Sequence, residues 1–314
     1  MAPEVPYKVL NDGTKIPCIG MGCWMGSPGG GVLVHEMCRK ALKNGYRHFD
    51  TAAGYSNEEH VGAAIRESGI PREEIFITTK LPQECHDSVQ ESFERSLKNL
   101  DCGYIDLYLM HWPQAYKDGV FHRKTIGPDE HPTFIDTWKD MEKLLLTGKV
   151  KSIGVSNFSI KTLTRLLPHC TVVPATNQVE LQPCLPQEDL VAFCAEKGIV
   201  LTAYSPLGQG NGLVDEPVIK SIAEKSNATP GQVLLAWGVQ RGTVVIPKSA
   251  NEQRMIDNIT LITLSDEDMA TLNALHKKPG MHKSFLWYHV DGGVFGWTYE
   301  QLGWNLTKGA IVPS

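Results

Sequence analysis

The sequence predicts an α/β fold: a (β/α)8 TIM barrel with an N-terminal β-hairpin and a long C-terminal loop. Three observations predict it. Short apolar strands alternate with amphipathic helical segments along almost the whole chain. Eight such strand–helix units follow one another with no Pro-, Gly- or Ser-rich linker between them. Polar residues collect just where strands end. Such alternation selects a parallel sheet covered by helices, and eight units fit a closed barrel better than two doubly wound halves. One domain spanning residues 1–314 is expected.

The hairpin comes first. Tyr7-Lys8-Val9-Leu10 and Lys15-Ile16-Pro17 flank Asn11-Asp12-Gly13-Thr14, a turn containing glycine. Strands are expected near 19–22, 46–50, 75–79, 105–110, 151–155, 174–179, 199–204 and 244–247. Helical patterns fall near 32–43, 57–67, 88–99, 134–147, 160–166, 187–197, 216–225 and 251–257, with two more near 230–240 and 265–275. Apolar residues at 89, 93, 97 and 100 keep helical spacing, and Ser88 with Glu91 is expected to form a capping box. The segment 114–132 reads as an elaboration of one rim. The tail, 279–314, carries Phe285, Trp287, Tyr288, Phe295, Trp297, Tyr299 and Trp304 among many glycines. It has no clear period and is expected to be an ordered loop folded over a rim.

The composition bounds the function. The chain has 314 residues, 42% hydrophobic and 21% charged, with a formal charge of -5. Mild acidity supplies no phosphate-neutralising face, which argues against nucleic acid as a partner. No apolar run reaches the roughly 18 residues a membrane span needs. The start, Met1 to Pro6, has neither the basic cap nor the apolar core of a signal peptide. Eight cysteines contain no C-x-x-C pair and sit mostly in apolar runs, as reduced buried thiols of a cytoplasmic protein do. The four formal glycosylation sequons, at Asn157, Asn227, Asn258 and Asn305, are then chance.

The chemistry gathers at strand ends. Gly45-Tyr46-Arg47-His48-Phe49-Asp50 runs as a strand, and Thr51-Ala52-Ala53-Gly54 turns to present Tyr55. Lys80 ends the third strand, and His111 follows the fourth. In a (β/α)8 barrel these ends share one rim, so the four groups can converge. A phenol with a pKa of about 10 is a poor acid, and an ammonium beside it lowers that value. Lys80 supplies the ammonium, and Asp50 supplies the partner that a buried lysine needs. His111 can hydrogen-bond a carbonyl oxygen or pass a proton. A carbonyl held between Tyr55 and His111 is then polarised for hydride attack, and Tyr55 protonates the alkoxide. Singly, each residue also has a purely structural reading: a turn cap, a packed ring, a snorkelling lysine, a strand terminator.

Longer motifs name a family. Gly45 to Tyr55 with Asn57-Glu58 resembles the first signature of the aldo-keto reductases. Gly154-Val155-Ser156-Asn157-Phe158 and Asn177-Gln178-Val179-Glu180 resemble their central motifs. Val245-Ile246-Pro247-Lys248-Ser249 with Arg254 and Asn258 resembles their nucleotide signature. The resemblance implies a barrel, an NADPH/NADP+ cofactor and a small-molecule carbonyl substrate. It implies Asp50, Tyr55, Lys80 and His111 as the catalytic tetrad. By position, Ser156, Asn157 and Gln178 would hold the nicotinamide carboxamide, and Tyr204 would stack on its ring. Ser205 and Leu207 would meet the pyrophosphate. Lys248, Ser249 and Arg254 would meet the 2′-phosphate, and Asn258 the adenine. Two cations and a hydroxyl suit a dianion, which favours NADPH over NADH. Gly22 and Cys23 would border the cofactor, while Trp24 and Trp112, with Tyr55 and His111, would line the substrate pocket. The pattern resembles yeast and fungal members of the aldehyde reductase or glycerol dehydrogenase type, and a monomer or weak dimer is expected.

Three features stand apart. Gly20-Met21-Gly22-Cys23-Trp24-Met25-Gly26 imitates a dinucleotide-binding glycine loop, but its last glycine is one position late and Trp24 blocks close approach. Pro82 stands two positions after Lys80, where many relatives carry an aromatic residue, and Asp257 stands where relatives often have Glu. The loop 208–212 is short where several relatives carry a longer belt over the cofactor. Two other functions fit the same residues: a Schiff-base aldolase using Lys80 as nucleophile, and a non-catalytic NADPH-binding regulatory subunit.

Overall fold

The computed structural model describes residues 4–117 and 124–313. The central part of the rim segment expected at 114–132, residues 118–123, lies outside the described residues, as do Met1, Ala2 and Pro3 of the N-terminal reading. The hairpin strands β1 (Tyr7–Val9) and β2 (Lys15–Pro17) pair antiparallel. The first barrel strands are β3 (Met21–Gly22), β4 (His48–Asp50), β5 (Phe76–Leu81) and β6 (Ile105–Met110). A two-stranded rim ribbon follows, β7 (Tyr116–Lys117) and β8 (Lys124–Thr125). The barrel continues with β9 (Val150–Ser156), β10 (Thr176–Glu180), β11 (Val200–Tyr204) and β12 (Val244–Val245).

These eight strands are all parallel, in the order β12-β11-β10-β9-β6-β5-β4-β3. A parallel bridge between Ile19 and Val245 joins the two edges. Gly20 N–H reaches Val245 O at 2.9 Å, and Val245 N–H reaches Cys18 O at 2.8 Å. The glycines of the false nucleotide loop serve this closure. A Cβ on Gly20 would lie 2.5 Å from the His48 ring, and one on Gly22 would lie 2.9 Å from the Ile246 carbonyl. The last strand is shorter than the sequence suggested because Pro247 has no N–H to extend it.

Helices cover the sheet: α1 (Gly31–Lys43), α2 (Glu58–Glu67), α3 (Val89–Leu100), α4 (Phe134–Leu144), α5 (Ile160–Leu166) and α6 (Glu188–Glu196). Then come α7 (Pro217–Lys225), α8 (Pro230–Gln240), α9 (Glu252–Ile259) and α10 (Asp266–Asn273). One expectation is corrected. Ser88 does not cap α3; its hydroxyl contacts Asp87 Oδ1 at 3.3 Å instead. α8 packs on β12, with Val233 through Gly238 buried, and α7 packs on α8.

The two ends of the barrel differ. Leu10 and Ile16 of the hairpin pack with Phe76, Leu107 and Val244, which lie towards the strand starts. The hairpin thus seals the N-terminal end and leaves the C-terminal rim for chemistry. The tail folds there, as expected, but it is more than loop. Strands β13 (His289–Val290), β14 (Gly293–Val294) and β15 (Trp297–Thr298) form an antiparallel sheet, followed by α11 (Tyr299–Leu302). Two-residue strands are too short to print a period in the sequence.

Candidate active site

Asp50 closes β4, and Lys80 lies near the end of β5. Both are buried, and Lys80 Nζ donates to Asp50 Oδ1 at 2.5 Å and to Thr51 O at 2.8 Å. The other carboxylate oxygen accepts from Gln178 Nε2 at 2.6 Å. Burial alone favours the neutral amine, but the Asp50 charge and the hydrogen bonds outweigh it, so the Lys80 pKa is raised. The lysine is therefore an ammonium. Removing one partner of such a buried pair costs about 3–5 kcal/mol.

Tyr55 sits on a 3₁₀ turn, Ala53–Tyr55, pinned by Gly29 N–H on Tyr55 O at 2.7 Å. Asn57 fastens the turn from beneath: Thr51 Oγ1 donates to Asn57 Oδ1 at 2.7 Å, and Asn57 Nδ2 donates to Cys23 O at 2.9 Å. The Tyr55 ring lies between Trp24, with centroids 4.9 Å apart, and His111, at 5.7 Å edge-on. Lys80 Nζ lies 5.0 Å from its centre. Here the chemistry differs from the expectation. Burial pushes the phenol pKa up, Lys80 pulls it down, and burial wins. The ground state is a neutral phenol carrying its proton. Burial and the Lys80 charge together hold His111 well below its usual pKa, so the imidazole is neutral too.

The other predicted residues lie along the same rim. Ser156 ends β9 and donates to Gln178 O at 2.8 Å. Asn157 follows with φ 65, and its Nδ2 donates to His111 O at 2.9 Å. Tyr204 ends β11, Ser205 follows at φ 51, and Leu207 lies half-buried just beyond. Two non-glycine residues in left-handed backbone, one after each of these strands, mark a rim shaped for more than folding. Gln209 Nε2 donates to Ser205 Oγ at 2.8 Å. Trp112 is buried beneath Tyr288, Phe295 and Trp304 of the tail. Cys23 turns its thiol inward, 3.9 Å from Cys38 Sγ, so only its backbone faces the rim. All eight cysteines are free thiols, and only Cys170 is more than slightly exposed.

A cationic corner lies at the start of α9. Asn251 caps the helix by accepting from Arg254 N–H at 2.9 Å. Lys248 and Arg254 are exposed, and neither forms an ion pair among the described residues. Ser249 and Asn258 are buried beside them. Two uncompensated cations and a hydroxyl at a helix N-terminus fit a phosphate dianion. At the other end, Asn157, Gln178 and Ser156 offer amide and hydroxyl groups suited to a carboxamide.

The Aldo/keto reductase family model matches residues 19–218 and 211–277. The chain belongs to the aldo/keto reductase family. Among relatives of this aldo/keto reductase, the glycerol 2-dehydrogenase (NADP(+)) of Saccharomyces cerevisiae is 46% identical over 286 residues, covering 86% of this chain and 91% of that protein. An aldehyde reductase of the same yeast, YPR1, matches with the same identity and coverage, 46% over 286 residues. The structure of a Bombyx mori aldo-keto reductase in complex with NADP shares 38% identity, covers 87% of this chain and 93% of that one, and gives a TM-score of 0.78.

Several rim residues of this aldo/keto reductase escaped sequence reasoning. Asn57 was visible only as part of a motif, without its role under the turn. Glu180 was likewise visible only within a motif, and Tyr288 only among the tail aromatics, neither with a role. Glu180 accepts from Ser284 Oγ and, at 2.8 Å, from Phe285 N–H, so a barrel strand grips the tail 105 residues away. No local pattern encodes so distant a contact.

Proposed function

We propose that this aldo/keto reductase reduces small aldehydes, and with them ketones or aldoses, to alcohols, using NADPH. One observation carries the reading: a neutral buried phenol stands beside an ammonium fixed by a carboxylate, with a neutral imidazole on its other side. When bound, NADPH supplies the hydride that the carbonyl carbon accepts. Tyr55 gives its proton to the carbonyl oxygen. Lys80 stabilises the phenolate left behind, and Asp50 keeps Lys80 charged and in place. Neutral His111 donates a hydrogen bond to the same oxygen and orients the carbonyl. Ser156, Asn157 and Gln178 seat the carboxamide, Tyr204 faces the nicotinamide ring, and Ser205 and Leu207 meet the pyrophosphate. Lys248, Ser249 and Arg254 take the 2′-phosphate, with Asn258 near the adenine and the backbone of Gly22 and Cys23 bordering the cofactor. Trp24 and Trp112 wall the substrate. The names of the yeast relatives favour small aldehydes and polyol-derived carbonyls. The eight free cysteines favour a cytoplasmic setting. We read the chain as one domain, 1–314, acting as a monomer or weak dimer.

The aldolase alternative is disfavoured because an ion-paired ammonium is a poor nucleophile. NADPH oxidation with a panel of aldehydes separates catalysis from a purely regulatory role. Tyr55→Phe should lower kcat by at least about 100-fold, the usual range for a lost general acid, while NADPH binding stays intact. Turnover near the parent rate in Tyr55→Phe would remove the phenol from the mechanism.

A further inference from the structure

We propose that Tyr288 is a positioning residue for the cofactor: its hydroxyl fixes Tyr204 and so ties the folded tail to the nicotinamide seat. The proposal rests on the reading that Tyr204 faces the nicotinamide.

Proton counting gives the bond a direction. Tyr204 OH donates to Asn157 Oδ1 at 2.7 Å. A phenol has one proton, so the 3.0 Å contact between the Tyr204 and Tyr288 hydroxyls is donated by Tyr288. Asn157 passes the order onward through Nδ2, to His111 O at 2.9 Å and Ser156 Oγ at 3.1 Å. A single directed chain thus runs from the tail through Tyr204 to the backbone of His111. Burial raises both phenols well above their usual pKa, so neither loses its proton in the neutral range.

Packing covers Tyr204 only in part. It borders a cavity of about 330 Å³ lined also by Glu180, Leu286 and Trp304. A ring beside a void lacks partner atoms on that side, so its hydroxyl contacts carry more of the restraint. Tyr288, by contrast, is well fixed. Its ring stacks on Phe295 with centroids 5.2 Å apart and meets Trp112 edge-on at 5.5 Å. The tail around it is tied down on both sides. Glu180 holds Ser284 and Phe285, and Gln114 Nε2 donates to Val294 O at 2.9 Å. The rigidity of the tail therefore reaches Tyr204 through one oxygen.

Tyr288→Phe keeps the ring and removes that oxygen. Titrations of the full chain with NADPH and with adenosine 2′,5′-bisphosphate, which lacks the nicotinamide, test the idea. The Kd for NADPH should rise about fivefold, the worth of one ordinary hydrogen bond. The Kd for the half-ligand should not move, and stopped-flow release of NADP+ should speed up. In a Tyr204→Phe background the same substitution should add nothing, because its partner is already gone. An unchanged NADPH Kd, or equal weakening of both ligands, would overturn the proposal while leaving carbonyl reduction standing. Failure of the unmodified chain to bind either ligand would bring down the cofactor reading and this proposal with it.

Discussion

His111 touches Tyr55 edge-on and lies in the field of Lys80, and both burial and that field favour its neutral form. An ordinary histidine titrates near pH 6.5, within the range where enzymes are assayed. This one is displaced well below it, and the phenol next to it is displaced upward. With cofactor saturating, kcat/KM for aldehyde reduction should therefore be flat between about pH 6 and 8. A limb with an apparent pKa near 6.5 that vanishes in His111→Asn would show a titrating imidazole and refute the assignment. The identity of these residues was legible in the sequence, but their protonation was not. The sequence placed an ammonium beside a phenol and so implied a lowered pKa. Depth in the barrel, which no local pattern reports, reverses the sign.

At the scale of elements, the same division holds. Long buried strands such as β5 and β6 were plain from their apolar runs, and the hairpin from its turn. The start of α3 was legible but its capping box was not, because Ser88 turns its hydroxyl to Asp87, a local choice that the S-x-x-E spacing does not decide. α9 shows what an element terminus can add. Its cap, Asn251, orders the first turn and sets Arg254 next to Lys248 and Ser249 at the positive end of the helix. In the proposed cofactor site its guanidinium would meet only the 2′-phosphate, the group that distinguishes NADPH from NADH. Arg254→Ala should raise the Kd for NADPH about tenfold, the scale of one charge-assisted hydrogen bond, and leave the Kd for NADH within twofold or so. Parallel losses for the two cofactors would mean that α9 supports the site without reading the phosphate.

The whole molecule answers to pH through groups far from catalysis. His48 and His86 are buried, with pKa values pushed down by burial to about 4 and about 3. Among the described residues neither ring nitrogen of His86 has a hydrogen-bond partner. Both histidines accept protons more readily in the unfolded chain. Their contribution to stability is complete above the unfolded value of 6.5 and is lost as pH falls towards those folded values. Glu180 runs the other way. Burial raises its pKa from 4.5 to about 7 against the bonds from Phe285, Ser284 and Gln182. Its contribution is complete below 4.5 and is lost as pH rises through about 7. Two histidines opposing one glutamate place the optimum near neutrality, with a net loss of about 1.4 kcal/mol per pH unit on first acidification below that point. His86→Phe keeps the volume and deletes one acid-sensitive group. Relative to the parent, its urea midpoint should hold level at pH 8 and gain steadily from pH 6 downward. Glu180→Gln should gain in the opposite direction, between pH 5 and 8. Midpoints that move in parallel across this range in both variants would show that neither group governs the pH response, and that burial at these positions costs less than the geometry implies.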